Sequence, residues 1–347
     1  MPGPIGQGTT GRPTTGLLRR RLLAPSSGLS ERRGHEGAGD MRAVYLTPRS
    51  GFPAEIPSHT IFGAICSAMA ELGGPVGEMI EAFETEPPFL LTSGFPYVRG
   101  DRTRHFLPPP ILPLPLVPEE VMDRVKDYRR MHYIDASLFK AWATGRCSAL
   151  DVIGRMDSLN ERCGLVWEGD DEDFMIHEYQ RPHNRINRMG SSSEAFFSSE
   201  GGYFENAGIY FLLDIKKRAF ESEVGAALRF LADRGIGGRI SAGMGAFDLS
   251  FGEVDFLPAG REDHLLTLSR FIPGDISAFG GEVYYEIVPV RGRSGDGKVK
   301  KSVLTLKEGS VFKDLGDEFY GSIEAVRDDV PVVEYGMAFP VPFRWSE

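Results

Sequence analysis

The sequence predicts an α+β fold of tandem ferredoxin-like (RRM-type) domains, with a long proline-rich insertion in the first. Three observations predict it. Between residues 41 and 258 the periodicities run strand, helix, long insertion, strand, strand, helix, strand, the order of a split βαβ unit. A glycine-rich segment, Gly235-Ile-Gly-Gly-Arg-Ile-Ser-Ala-Gly-Met-Gly245, joins the last helix of that run to its last strand. Further short apolar runs then predict a second, reduced ferredoxin-like domain over 259–347.

Each element has its own signal. Residues 1–40 are rich in Gly, Pro, Ser, Thr and Arg, lack periodicity, and are expected to form a disordered leader; Met41-Arg-Ala-Val-Tyr-Leu46 reads like a natural start. Arg42 to Thr47 is a strand and Pro48 to Pro57 a turn-rich loop. Ser58 is placed to cap a helix from His59 to Leu72, with Ile61, Ile65, Ala68, Met69 and Leu72 on one face and Gly73-Gly-Pro75 as its stop. Prolines crowd residues 87–118, and a residue without an N–H cannot sustain regular structure there. Glu119 to Ala143 reads as a helix, and an acidic, irregular stretch follows to Asp173, so the insertion spans about 87–175. His177 to Ile186 and Tyr203 to Ile215 are strands. Val224, Ala227, Leu228 and Leu231 mark the helix Glu221 to Arg234, and Ala246 to Val254 is the closing strand. The second domain places strands at 264–272, 283–290, 303–306 and 332–341.

Composition narrows the function classes. The net charge is −10, yet the first forty residues carry six arginines against three acids. An acidic body argues against coating nucleic acid non-specifically, because such binding rests on phosphate neutralisation; a local basic groove stays compatible. Cys66, Cys147 and Cys163 lie too far apart for metal-ligand spacing or a disulfide framework, so a reducing cytoplasm is expected. The histidines lack metal-binding spacing, and the acidic run Asp170 to Asp173 reads as a solvated loop. Neither a metal nor a cofactor is expected. No apolar run has the length of a membrane span.

Two segments carry the chemistry. In the glycine loop, residues without Cβ can turn successive N–H groups toward one anion, and Arg239 and Ser241 add a charge and a hydroxyl. Its helix-before, strand-after setting excludes a P-loop and a dinucleotide fingerprint. The second segment, His183-Asn-Arg-Ile-Asn-Arg188, lies in an acid-free window from Tyr179 to Ser193. Arg185 and Arg188 can fork onto phosphates, while His183 and Asn184 can read riboses or base edges. Against these stand plainer readings: a flexible connector and a solvated hairpin. The basic stretches Arg291 to Lys301 and Arg99 to His105 are candidate contacts or surface loops alike. His59, His177 and His183 are the available general bases for metal-free RNA cleavage.

Together these segments resemble the RAMP superfamily of CRISPR effector subunits. The glycine loop resembles that family's glycine-rich loop. Pro57-Ser-His-Thr-Ile-Phe-Gly-Ala-Ile65 is similar to its first-helix entry, and Pro88 to Pro96 with Leu107-Pro-Pro-Pro110 to its proline-rich insertion. His183 to Arg188 resembles its hairpin segment. Gly309-Ser-Val-Phe312 and Tyr335-Gly-Met-Ala338 resemble its C-terminal pattern. The likeness is strongest to the fourth-subunit group of type III-A (Csm) complexes, relatives of the Cas-five group that cap the crRNA 5′ end. It implies a non-catalytic subunit that holds the crRNA 5′ tag and contacts the large Cas-ten subunit and a backbone RAMP subunit. By position, Gly235, Gly237, Gly238, Arg239, Ser241, Gly243, Gly245, His183, Asn184, Arg185 and Arg188 would face that RNA. His59 departs from the acid expected there in the family, and the leader is a second departure. Alternatives from the same superfamily are a metal-independent crRNA-processing endoribonuclease, which carries its glycine loop nearer the C-terminus, and the cap subunit of a type III-B (Cmr) complex.

Overall fold

The computed structural model describes residues 40–53, 55–186, 193–237, 240, 243–280, 283–295 and 297–345; for residues 40, 181, 183–186 and 193–200 it describes the backbone alone. The expected leader lies outside the described residues except for Asp40.

The chain enters through β1 (Asp40–Pro48), α1 (Ser58–Glu71) and α2 (Val76–Ala82). α1 buries Ile61, Phe62, Ile65, Ala68 and Met69, one stripe at helical spacing. It stops where Gly73 takes φ +73° and Gly74 donates to the Met69 carbonyl at 2.8 Å. Ser58 does not cap this helix. Its hydroxyl accepts from the Arg270 N–H at 3.0 Å and its own N–H donates to Ser93 Oγ at 2.9 Å, so both groups serve distant segments. Leu72, expected on the buried face, is exposed.

Next come β2 (Phe89–Leu91), β3 (Phe95–Arg99), β4 (Thr103–Leu107), α3 (Val125–Tyr128), β5 (Tyr133–Asp135), α4 (Ala136–Ala143), α5 (Ala149–Arg155), β6 (Asn160–Arg162) and β7 (Leu165–Trp167). A hairpin of β8 (Met175–Ile186) and β9 (Ser193–Glu205) leads into β10 (Ala207–Ile215), α6 (Glu221–Arg234) and β11 (Phe247–Gly252). One nine-stranded sheet runs β11-β1-β10-β3-β4-β5-β7-β6, with β2 also on β10. Its pairings are antiparallel except β5 with β7. α1 and α6 pack against each other, with Val224, Ala227, Leu228 and Leu231 of α6 buried.

Four expectations are corrected here. The strands beside β10 on this side come from the proline-rich stretch, not from His177 to Ile186. Pro96 fits inside β3 because β4 pairing starts only at Tyr97, so its missing N–H falls on a side with no partner strand. The strand expected over Tyr203 to Ile215 breaks at Asn206, which takes φ +50° and separates the hairpin from the central strand. The helix expected over Glu119 to Ala143 is cut in the middle. Tyr133 and Ile134 pair with β7, and the Asp135 carboxylate caps α4 by accepting from the Leu138 N–H at 2.7 Å. The acidic stretch before Asp173 is also ordered, holding α5, β6 and β7 around a buried Trp167.

From residue 259 the described elements are strands: β12 (His264–Thr267), β13 (Val283–Tyr284), β14 (Ile287–Val290), β15 (Val303–Leu306), β16 (Val311–Lys313), β17 (Gly321–Ala325), β18 (Val333–Met337) and β19 (Pro340–Phe343). They form a sheet ordered β13-β16-β12-β19 and two ribbons, β14–β15 and β17–β18. β16 and β17 were not expected, and only a 3₁₀ turn, Ile276–Phe279, interrupts the strands among the described residues. This part shares the core of the first. The buried Tyr335 ring lies 5.1 Å from Phe62, and its hydroxyl accepts from the Leu91 N–H at 3.1 Å.

Candidate nucleic-acid interface

The glycine loop grows from the end of α6. Gly235 takes φ +98° and donates to the Leu231 carbonyl at 2.7 Å, ending the helix. Ile236 then donates to the Gly245 carbonyl at 3.0 Å, closing the loop at its neck. Gly245 donates to Gly51 O at 2.9 Å, Ala246 to Ser50 Oγ at 3.1 Å, and Arg49 to Ala246 O at 2.8 Å. The loop is therefore laced to the segment after β1. Gly235 and Gly245 are buried closure residues whose N–H groups are used inside the protein. Gly237, at φ +104°, sits against Pro53; Gly243, at φ +77°, is exposed and donates to the Ile240 carbonyl at 2.9 Å. Gly238, Arg239 and Ser241 lie outside the described residues.

The same post-β1 segment anchors the hairpin. Phe52 and Gly202 exchange N–H donations at 2.9 and 2.7 Å. Gly201 has no room for a side chain beside Tyr179 and the Phe52 carbonyl, and the Tyr179 hydroxyl reaches Met244 Sδ at 3.5 Å. The structure thus brings the hairpin's foot and the glycine loop to one place above residues 50–53. His183, Asn184 and Arg185 lie further out on β8, opposite Phe197, Phe196 and Ala195, before an irregularity at Arg185 and Ile186. At about 3.3 Å per residue, Arg185 is roughly 20 Å along the strand from Tyr179. Arg188 lies outside the described residues. Tyr179, Met244 and Phe52 were missed by sequence reasoning; Tyr179, which opens the acid-free window, was the signal available.

The other basic stretches are largely spoken for. Arg104 bonds Asp135 at 3.1 Å and Glu172 at 3.0 Å. His105 meets the Tyr45 hydroxyl at 2.7 Å and stacks on Phe256, and its burial lowers its pKa to about 4. In the 291–301 stretch, Lys298, Lys300 and Lys301 pair with Asp329, Glu334 and Asp328. Internal pairing of this kind favours a structural role over a partner contact for both.

Beside the hairpin's foot opens a cleft of about 1100 Å³, lined by Glu55, Arg129, His132, Cys163, Glu178, Arg270 and Glu308 among others. The apolar Phe95, Leu165 and Ile209 also border it. Arg270 is only 7% exposed. Its Nε donates to Glu308 Oε1 at 2.9 Å, and the Ser93 hydroxyl donates to the same oxygen. Neither member of this pair was expected from the sequence. An arginine inside the apolar run Leu265 to Ile272 was the signal.

His59 is partly buried near Arg270. Its Nδ1 is sealed from solvent with no hydrogen-bond partner among the described residues. Burial first, then the charges of Arg270 and Lys300, lower its pKa to about 3. The acid expected at this position would be well placed beside two cations. The folded pKa lies below the usual 6.5, so this residue's contribution is complete above pH 6.5 and declines as pH falls toward 3. Wild type should therefore lose up to about 1.4 kcal/mol per pH unit more than His59→Gln below pH 6. Urea midpoints of both proteins from pH 7 to 4 check this; parallel curves would refute it.

No family model matches the chain. It is 28% identical over 318 residues, 88% of this chain and 97% of the relative, to a protein of Thermococcus onnurineus (strain NA1) described as CRISPR system Cms protein Csm4. A chain of the Csm3–Csm4 subcomplex in the type III-A CRISPR-Cas interference complex superposes with a TM-score of 0.63 at 18% identity, covering 87% of this chain and 99% of that one. A chain of the Csm1–Csm4 cassette in complex with pppApA gives 0.59 at 21% identity, covering 88% and 99%. The chain resembles Csm4 in sequence over most of its length, and it shares a fold with chains of these type III-A assemblies.

Proposed function

We propose that this chain is a Csm4-type RAMP subunit of a type III-A CRISPR interference complex, a non-catalytic cytoplasmic scaffold that holds the 5′ tag of a crRNA. The carrying observation is the junction of Tyr179 with Met244, which makes the hairpin and the glycine loop two sides of one surface. Phosphates and riboses of single-stranded RNA lie against the glycine loop beside Gly237 and Gly243 and along β8 toward Arg185. The relative's 28% identity and the solved Csm3–Csm4 and Csm1–Csm4 structures support the assembly: a backbone RAMP subunit and the large Cas-ten subunit dock on this chain. In this reading the two parts of the chain are tandem ferredoxin-like domains. The order β11-β1-β10-β3, with α1 and α6 packed together, supports the first. Among the described residues no helix is long and apolar enough to cross a membrane.

Arg185→Ala and Arg239→Ala are each expected to weaken tagged crRNA binding about three- to tenfold and to lower the salt slope by about 0.7. Fluorescence anisotropy at several salt concentrations measures both quantities. Wild-type affinity in both variants would remove the assigned surface. Metal-independent cleavage of repeat RNA by the purified chain would instead establish the endoribonuclease alternative.

A further inference from the structure

Arg270 is a buried charge whose bonding is only half explained by the fold. Its Nε is fixed by Glu308, which is held in turn by Ser93, whose Oγ accepts from the Ser58 N–H. Its backbone N–H is fixed by the Ser58 hydroxyl. The two terminal nitrogens have no partner among the described residues and are not sealed from solvent, although the side chain is only 8% exposed. Arg270 is one of the residues that line the cleft. A planar fork fixed at Nε, with its two terminal nitrogens unpaired among the described residues, suits a ligand with two adjacent hydrogen-bond acceptors.

Charge and shape decide which ligand. The cleft borders three cations, Arg129, Arg270 and Lys307, and three carboxylates, Glu55, Glu178 and Glu308, so it does not select a polyanion. Phe95, Tyr133, Tyr179 and Phe204 supply flat apolar surface. Its volume of about 1100 Å³ lies just above the usual range for ligand clefts, about 300–1,000 Å³. Tyr179 lines the cleft and also touches Met244, so the cleft is continuous with the proposed RNA surface.

We infer that this cleft receives one unstacked nucleobase of single-stranded RNA and that Arg270 reads its edge. This rests on the RNA-binding reading above. Guanine presents two adjacent acceptors, O6 and N7, and unpaired cytosine presents O2 and N3; adenine and uracil present no such pair. The site therefore takes guanine or cytosine and rejects adenine and uracil.

Cys163 makes the test possible on the unmodified full chain. It borders the cleft and is exposed, whereas burial raises the pKa of Cys66 to about 12 and Cys147 is buried. The probes are fluorescent eight-nucleotide RNAs of uridine carrying a single guanosine, cytidine, adenosine or 7-deazaguanosine. The readouts are anisotropy and the rate of Cys163 alkylation. Guanosine- and cytidine-bearing RNAs should bind about tenfold tighter than the others and slow alkylation by a similar factor. The 7-deazaguanosine probe, which lacks one acceptor, should lose the advantage of guanosine. Arg270→Lys keeps the charge beside Glu308 but loses the fork, and should level the series. Equal protection by every RNA would mean that the cleft takes backbone and would overturn base reading. Binding without protection would place RNA elsewhere, sinking this inference and sparing the proposed function. No binding by wild type would sink both.

Discussion

Gly245→Ala is expected to cost at least about 2 kcal/mol and to lower RNA affinity about tenfold or more, while Gly243→Ala stays close to wild type in fold. Both glycines hold positive φ, +81° and +77°, a conformation that costs an alanine about 1–2 kcal/mol. Their surroundings separate them. A Cβ on Gly245 would lie 2.1 Å from the Ile236 carbonyl oxygen, a backbone atom that cannot swing aside, whereas a Cβ on Gly243 meets nothing within 4 Å. The Gly245 substitution must therefore break the Ile236-to-Gly245 hydrogen bond that closes the loop. With the neck open, the loop also loses its hold on Gly51 and Ser50, on which the hairpin's foot depends through Phe52. Thermal unfolding and tagged-RNA anisotropy of both variants measure the contrast. Equal behaviour would show that the neck does not organise this surface.

Glu308→Ala is expected to destabilise the protein by about 3–5 kcal/mol, because it leaves the Arg270 charge buried without a counter-ion. At roughly 2–4 °C per kcal/mol, the melting temperature should drop by about 10 °C. The same change removes the acceptor of the Ser93 hydroxyl. Combining Glu308→Ala with Arg270→Met should recover much of the loss, since the double variant buries no unpaired charge. Denaturant unfolding of the single and double variants decides the point. A loss below about 1 kcal/mol for Glu308→Ala would mean that the water reaching the terminal nitrogens of Arg270 screens the whole charge and that the pair does not hold the fold.

Much of the central framework could be read from the residues. The α1 stripe, the Gly73 stop, the α6 face and the helix-to-strand setting of the glycine loop all rest on neighbours within a few positions. The proline-rich stretch misled because proline counts say nothing about which side of a strand lacks a partner. The helix expected over Glu119 to Ala143 failed because β4 and β7, distant in sequence, claim Tyr133 and Ile134 as a strand. Of the candidate site, the loop and the hairpin were visible as composition, one rich in glycine and the other free of acid. Their junction was not, since Tyr179 and Met244 are 65 positions apart.

By itself the sequence determined the α+β character of this protein, the positions of the glycine-rich and acid-free segments and the resemblance to type III-A subunits. These depend on local periodicity, on the backbone freedom of glycine and on runs of like charge. The tertiary structure alone decided that Gly235 and Gly245 close a neck while Gly243 stands in open space. It also decided that the lysines at 298–301 are paired internally and that Arg270, held by Glu308, lines a cleft. Each of these is a matter of which groups lose water together, and long-range packing settles that.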